Sequence, residues 1–182
     1  MQLPRFFTER LQLRPAAASD LDALWAIWRD PDVRRYLFDD RTVTRELAGE
    51  ALGDCLGMND AGLGLWIVTV HGDEAPIGCV GLLRVGKMAE YDPTLAGKVE
   101  VLAALAPSVW GRGYAREALG RLVVYAVDTL GSSELAGVCD VPNLASDRML
   151  KGLGFMPQLE CEGPRYRIRT YRLPLTSAET LG

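Results

Sequence analysis

The chain has 182 residues, 48% hydrophobic and 24% charged, a composition that supports one domain with a full core. It excludes global disorder, a collagen-like rod and a disulfide-stapled miniprotein. Twenty Lys and Arg against 24 Asp and Glu leave a formal net charge of -4, so no overall positive field is available to hold nucleic acid.

A single histidine, His71, cannot serve a His-based triad and a His-based metal site together, and cysteines at 55, 79, 139 and 161 follow no metal-ligand spacing. The cysteines read as reduced, mostly buried thiols, and no metal is expected. No apolar stretch reaches membrane-spanning length, and the N-terminus lacks the apolar core of a signal peptide. The expected setting is the cytoplasm, with no membrane partner.

Alternation in residues 11–14, LQLR, predicts a half-buried strand. Ser19 and Asp22 resemble a capping box, and Leu21, Leu24, Trp25 and Trp28 follow at helical spacing until Asp30 and Pro31 end the helix. Residues 33–59 are expected to hold a short turn or helix, then a second helix carrying Leu47, Ala51 and Cys55. Residues 65–70 and 77–83 read as a hairpin, with Gly78 and Gly81 marking a bulge or a close backbone approach. A polar connection leads to a third strand over residues 99–106, stopped by Pro107.

The longest helix is expected over residues 113–130, with Leu119, Leu122, Ala126 and Leu130 on its apolar face and Gly131 as its stop. A short strand over 135–140, a helix beginning at Asn143 or Ser146, and a final hairpin around Glu162, Gly163 and Pro164 complete the chain. The fold class is therefore mixed α/β, a single domain over residues 1–182 with helices covering a central sheet.

Between the third strand and the longest helix lies Trp110-Gly111-Arg112-Gly113-Tyr114-Ala115. Two glycines allow close backbone approach, and the unpaired N–H groups of a helix start can converge on phosphate oxygens. A tight strand-to-helix turn would look the same. Neither GxGxxG nor GxxxxGK[ST] is present.

The chain resembles the GNAT acyl-coenzyme A N-acyltransferase family, in particular the branch that acetylates ribosomal-protein N-termini. The resemblance is carried by TERLQLRPAAASDLDAL, DPDVRRYL, Glu100, WGRGYAREAL and NLASDRMLKGLGF, spread over nearly the whole chain. It implies a mostly antiparallel central sheet with a splayed strand and flanking helices, with acetyl-CoA as the acyl-donor cosubstrate. It also implies that Ala103, Ala104 and Leu105 lie along the pantetheine, and that Gly111, Arg112, Gly113, Tyr114 and Ala115 hold the pyrophosphate.

Asn143 and Ser146 match a later family motif and are assigned to the coenzyme arm or the reacting acyl group, although both also fit helix caps. Arg148 and Lys151 are expected near the phosphoadenosine portion. Glu100 is the candidate general base, with a salt-bridged structural role as its alternative. Where many relatives place a Tyr as thiolate acid, this chain offers Asp147 and Met149.

Trp28, Tyr36, Leu37, Phe38 and Tyr91 are the expected acceptor-side residues. The acceptor is read as a small-molecule amine or a protein N-terminus, attacked directly without a cysteinyl intermediate. A noncatalytic acyl-CoA-binding regulatory module is the rival. Nucleic acid is not expected as a partner, and the protein is read as a monomer or homodimer.

Overall fold

The computed structural model describes residues 2–175, so residue 1 and residues 176–182 of the expected domain lie outside the described residues. Eight strands form one sheet in the order β1-β2-β3-β4-β5-β6-β8-β7. The strands are β1 (Phe6–Phe7), β2 (Leu11–Pro15), β3 (Gly64–Val70), β4 (Gly78–Arg84), β5 (Val99–Leu105), β6 (Glu134–Asp140), β7 (Met156–Cys161) and β8 (Ile168–Pro174). Neighbours run antiparallel except β5 and β6, which matches the expected mixed, mostly antiparallel sheet.

Helices cover both faces. Leu24, Trp28, Val33 and Leu52, from α1 (Leu21–Trp28), α2 (Pro31–Leu37) and α3 (Arg45–Leu56), pack on one side with Leu65 and Ile67 of β3. On the other side Leu119, Leu122 and Leu150, from α4 (Tyr114–Asp128) and α5 (Leu144–Gly152), pack with Trp66 and Val68 of the same strand. Alternate residues of β3 thus serve two cores, which is why the strand reads as one continuous apolar run.

The start of the first helix differs from the expected capping box. Asp20, rather than Asp22, reaches back to accept the Ala17 N–H at 2.8 Å, and Arg14 holds the same carboxylate at 2.6 Å. Asp30 and Pro31 do more than end α1. The Asp30 side chain caps α2 by accepting the Asp32 N–H at 2.9 Å, and Pro31 occupies the first helical turn, where its missing N–H costs nothing. A two-residue strand, β1, also pairs ahead of the expected first strand.

Gly78 and Gly81 mark close approach, with no register shift between β4 and β5. A Cβ on Gly78 would stand 2.3 Å from the Ala104 carbonyl oxygen, and one on Gly81 would stand 2.7 Å from the Leu65 side chain. Gly78→Ala should therefore destabilise the protein by about 2 kcal/mol or more, because its φ of +144° is also unfavourable for an L side chain. Gly53→Ala, in exposed α3 with nothing within 4 Å, should stabilise it by about 0.5–1 kcal/mol. Thermal or urea unfolding of the two variants should move in opposite directions.

Candidate active site

β5 and β6 pair only at Glu100 and Ala136. Ion pairs from Lys98 and Arg172 to Glu134 tie β5, β6 and β8 together at that end. Beyond the bridge the strands diverge around a cleft of about 670 Å³. Residues of β5 from Glu100 to Leu105 form one wall, and Val138, Cys139 and Asp140 of β6 form the other.

Backbone alternation decides which groups of β5 are free. The Ala106 N–H donates to Ile77 O at 2.8 Å, toward β4, so the N–H and C=O groups of Ala103 turn the other way, toward the cleft. Ala104 pairs with Cys79 of β4 and offers the cleft mainly its small side chain. The Leu105 carbonyl oxygen accepts the Trp110 indole N–H at 2.7 Å, which closes the free edge.

Gly111 and Gly113 then turn the chain at φ +75° and +79° into α4. Gly113 is the N-cap and has no side chain to satisfy the first-turn N–H groups. Arg10 braces this turn from behind. It donates to Arg112 O at 3.0 Å, pairs with Glu117 at 2.6 Å and lies over the Tyr114 ring at 4.8 Å. Glu117 also accepts from Thr8 Oγ1 at 2.6 Å. With the Arg112 carbonyl engaged behind the turn, the N–H groups at the helix start are left for an anion.

At the opposite edge Asn143 caps α5 by accepting the Ser146 N–H at 3.2 Å, and both residues line the cleft, so a capping position and a place in the site coincide. Arg148 also lines it, as do Tyr114 and Ala115. Met149 reaches the cleft with a thioether that has no proton to donate. Asp147 is committed elsewhere. Tyr171 Oη donates to it at 2.5 Å and Arg169 and Lys151 pair with it at 2.7 and 2.9 Å, which hold the carboxyl at about 2.

Two carboxylates lining the cleft have no such partners. Glu100 makes no hydrogen bond or ion pair among the described residues, and burial pushes its carboxyl up to about 7. Asp140 is raised to about 6 by burial and by the nearby charge of Asp39. Sequence reasoning missed Asp140, whose only signal is an acidic residue ending a short strand three positions before Asn143. Arg10 was missed as well, since its contacts to the turn span more than 100 positions.

Tyr36 and Leu37 of α2 line the cleft as expected. Trp28 and Phe38 do not. They are 3% and 8% exposed, and their rings pack against each other in the α1–α3 core with centroids 5.7 Å apart. Tyr91 lies in the connection before β5, away from the cleft walls, and Lys151 turns to Asp147. The Arg112 side chain points back toward Ser108 O, leaving only the turn's backbone near the cleft.

A split parallel strand pair, an uncapped helix start at its mouth and a carboxyl without a partner among the described residues thus meet in one cleft. The Acetyltransferase (GNAT) domain model matches residues 10–156, and the chain belongs to this family of acetyl-CoA-dependent acetyltransferases. It is 27% identical to the uncharacterized N-acetyltransferase p20 of Bacillus licheniformis over 156 residues, 84% of this chain and 82% of that protein. A GNAT-family acetyltransferase structure from Bordetella pertussis superposes with a TM-score of 0.83 at 23% identity, covering 93% of this chain and 98% of that one. The Salmonella typhimurium acetyltransferase that modifies the N-terminal serine of ribosomal protein L7/L12 superposes at 0.74 with 15% identity, covering 93% and 97%.

Among the described residues no helix is long and apolar enough to cross a membrane, and no group of three His, Cys, Asp or Glu residues is placed to hold a metal.

The raised Glu100 carboxyl has a consequence for stability. An unfolded glutamate ionises near 4.5 and the folded one near 7, so folding is penalised as pH rises above about 4.5, and the penalty is complete above about 7. Glu100→Gln should therefore stabilise the protein at about pH 8 by up to about 3 kcal/mol, seen as a higher melting temperature, and change little near pH 4. Calorimetry at the two pH values checks the sign.

Proposed function

We propose that the protein transfers the acetyl group of acetyl-CoA to a primary amine, with a protein N-terminal α-amine as the leading acceptor, by direct attack within a ternary complex. The observation that carries this reading is Glu100, a half-buried carboxyl without a partner among the described residues, held near 7 at the last point where β5 and β6 touch. A base with that pKa is half ionised near neutrality, which suits removal of a proton from an ammonium group directly or through one water.

The free N–H and C=O groups of Ala103 suit the amides of the pantetheine arm, and the small side chains of Ala103 and Ala104 leave room for it. Its pyrophosphate would meet the N–H groups from Gly111 to Ala115, braced from behind by Arg10, with Arg148 as a nearby cation. Asn143 and Ser146 are the polar side chains of α5 available to the coenzyme arm and the leaving sulfur.

Once Glu100 has taken the ammonium proton, the neutral amine nitrogen bonds to the thioester carbonyl carbon. The tetrahedral adduct collapses with cleavage of the carbon–sulfur bond, and the second proton shed by that nitrogen passes through water to the leaving thiolate, giving the amide and coenzyme A. Met149 cannot protonate that sulfur, so water is the proton source in this account. A cysteinyl route has little support. Burial raises the thiol of Cys79 to about 12 and also raises that of Cys139, whose hydrogen-bond partner is the Tyr171 hydroxyl rather than a base.

Thiol release from acetyl-CoA across a panel of amines and N-terminal peptides, followed by product mass, tests the reaction. An added 42 Da, the mass of acetyl replacing hydrogen, on an amine is the expected product. Acetyl-CoA binding with no amine-dependent thiol release would instead favour the noncatalytic regulatory module.

Glu100→Gln should lower kcat by about 10²-fold or more while sparing acetyl-CoA affinity. In the wild type kcat/KM should rise with pH through about 7 as Glu100 ionises, and the variant should lose that inflection. Wild-type turnover and pH profile in Glu100→Gln would remove Glu100 from the reaction. Gly113→Pro, which forces φ from +79° to about -65°, should weaken acetyl-CoA binding by about tenfold or more, and Arg112→Ala should weaken it less.

A further inference from the structure

The structure buries four aspartates, Asp20, Asp92, Asp140 and Asp147. Three are satisfied: Asp20 by Arg14 and the Ala17 N–H, Asp92 by Thr94, and Asp147 by Tyr171, Lys151 and Arg169. Asp140 is 8% exposed and lines the cleft, and its carboxylate makes no hydrogen bond or ion pair among the described residues. A buried, unpaired carboxylate is costly to keep unless something arrives to neutralise it.

Strand geometry shows what Asp140 faces. Residues opposite each other in the β5–β6 bridge share a face, so Glu100, Ala136, Val138 and Asp140 point to one side of the sheet. That side is covered by α1–α3, because Ala104, which alternates in step with Glu100, packs in their core. Cys139, one residue out of step, packs with α4 and α5. The two carboxylates therefore open toward α2, and the phosphate-type turn belongs to the opposite face.

Nearby cations do not reach Asp140. Arg34 and Arg165 both pair with Asp40, at 2.9 and 2.6 Å, and Arg35 pairs with Asp32 at 3.6 Å. The charge that acts on Asp140 is another carboxylate, Asp39, which together with burial raises its pKa. The Tyr36 hydroxyl meets Pro142 O at 3.5 Å and so closes this end of the groove two residues beyond Asp140.

We infer that Asp140 forms a second cation subsite in the acceptor half of the cleft, so that the acceptor carries another ammonium or guanidinium group several bonds from the nitrogen that reacts. The inference rests on the amine-acetylating reading above and narrows its acceptor to a dicationic amine. Four residues of β6 separate Asp140 from the level of Glu100, roughly 13 Å along the strand, and side chains leaning inward bring the two sites to on the order of 10 Å. One monocation cannot satisfy both carboxylates across that span. A free diamine and a peptide N-terminus followed closely by Lys or Arg share the required chemistry.

Binding and turnover together test the subsite. Protein saturated with coenzyme A is titrated calorimetrically at about pH 8 with 1,8-diaminooctane and with 1-aminooctane, and thiol release from acetyl-CoA is measured with the same pair. The wild type should prefer the diamine by about tenfold or more in affinity, and in kcat/KM through a lower KM. Asp140→Asn and Asp140→Ser, both checked for folding by circular dichroism, should bring that preference close to one.

A matched pair of peptides, with Lys or norleucine as the third residue, gives the other arm. Whichever pair shows the larger Asp140-dependent preference identifies the source of the second cation. A wild-type preference near one for both pairs, or one retained in both variants, overturns the subsite. Thiol release from monoamines without any Asp140-dependent preference sinks the subsite and leaves amine acetylation standing. Asp140-dependent diamine binding without thiol release from any amine does the reverse.

Discussion

The structure depends on a strand pairing that stops early. In an eight-stranded sheet, β5 and β6 lie side by side and share one bridging position, Glu100 with Ala136. Every further position at which they diverge gives up ladder hydrogen bonds in the middle of the molecule. Backbone N–H and C=O groups left there must find water or a ligand. The opening is tolerable because its two halves are held independently, β5 by seven paired positions with β4 and β6 by seven with β8. Glu134, with Lys98 and Arg172, holds the closed end.

That split gives the cleft two chemically different faces. Toward α4 and α5 lie the uncapped helix start, Arg148 and the polar side chains of Asn143 and Ser146, a setting that favours negative charge. Toward α2 lie Glu100 and Asp140, a setting that favours positive charge. In the proposed reaction a polyanionic donor and a cationic acceptor would therefore approach from opposite sides of one sheet and meet where the strands part. The raised carboxyls are the cost of this arrangement, since both would be more stable solvated or paired.

Much of the fold was legible because local signals agreed. The hairpin punctuated by Gly72 and Pro76, the long apolar face of α4 and the alternating terminal strand each carried their own period or turn chemistry. The turn at Gly111 and Gly113 was legible for the same reason, as strand, glycines and helix start are contiguous in the chain. Side-chain direction was not. Trp28 and Phe38 carry aromatic rings suited to an acceptor wall, yet in the structure those rings fill the core beneath α2, while Tyr36 and Leu37, their neighbours in sequence, face the cleft. Asp140 and Arg10 escaped notice because their roles come from long-range register and tertiary contact, which no local pattern encodes.

Hydrogen exchange along β5 reads out whether the free edge of this strand would seat the coenzyme as proposed. The Ala103 and Leu105 amides should exchange faster than the β3 amides in the free protein, because β6 does not pair with them. Saturating acetyl-CoA should slow exchange in β5 and at the start of α4 by about tenfold or more while leaving β3 unchanged. Slow β5 exchange without ligand, or acetyl-CoA protection that bypasses β5 and appears elsewhere, would contradict the account.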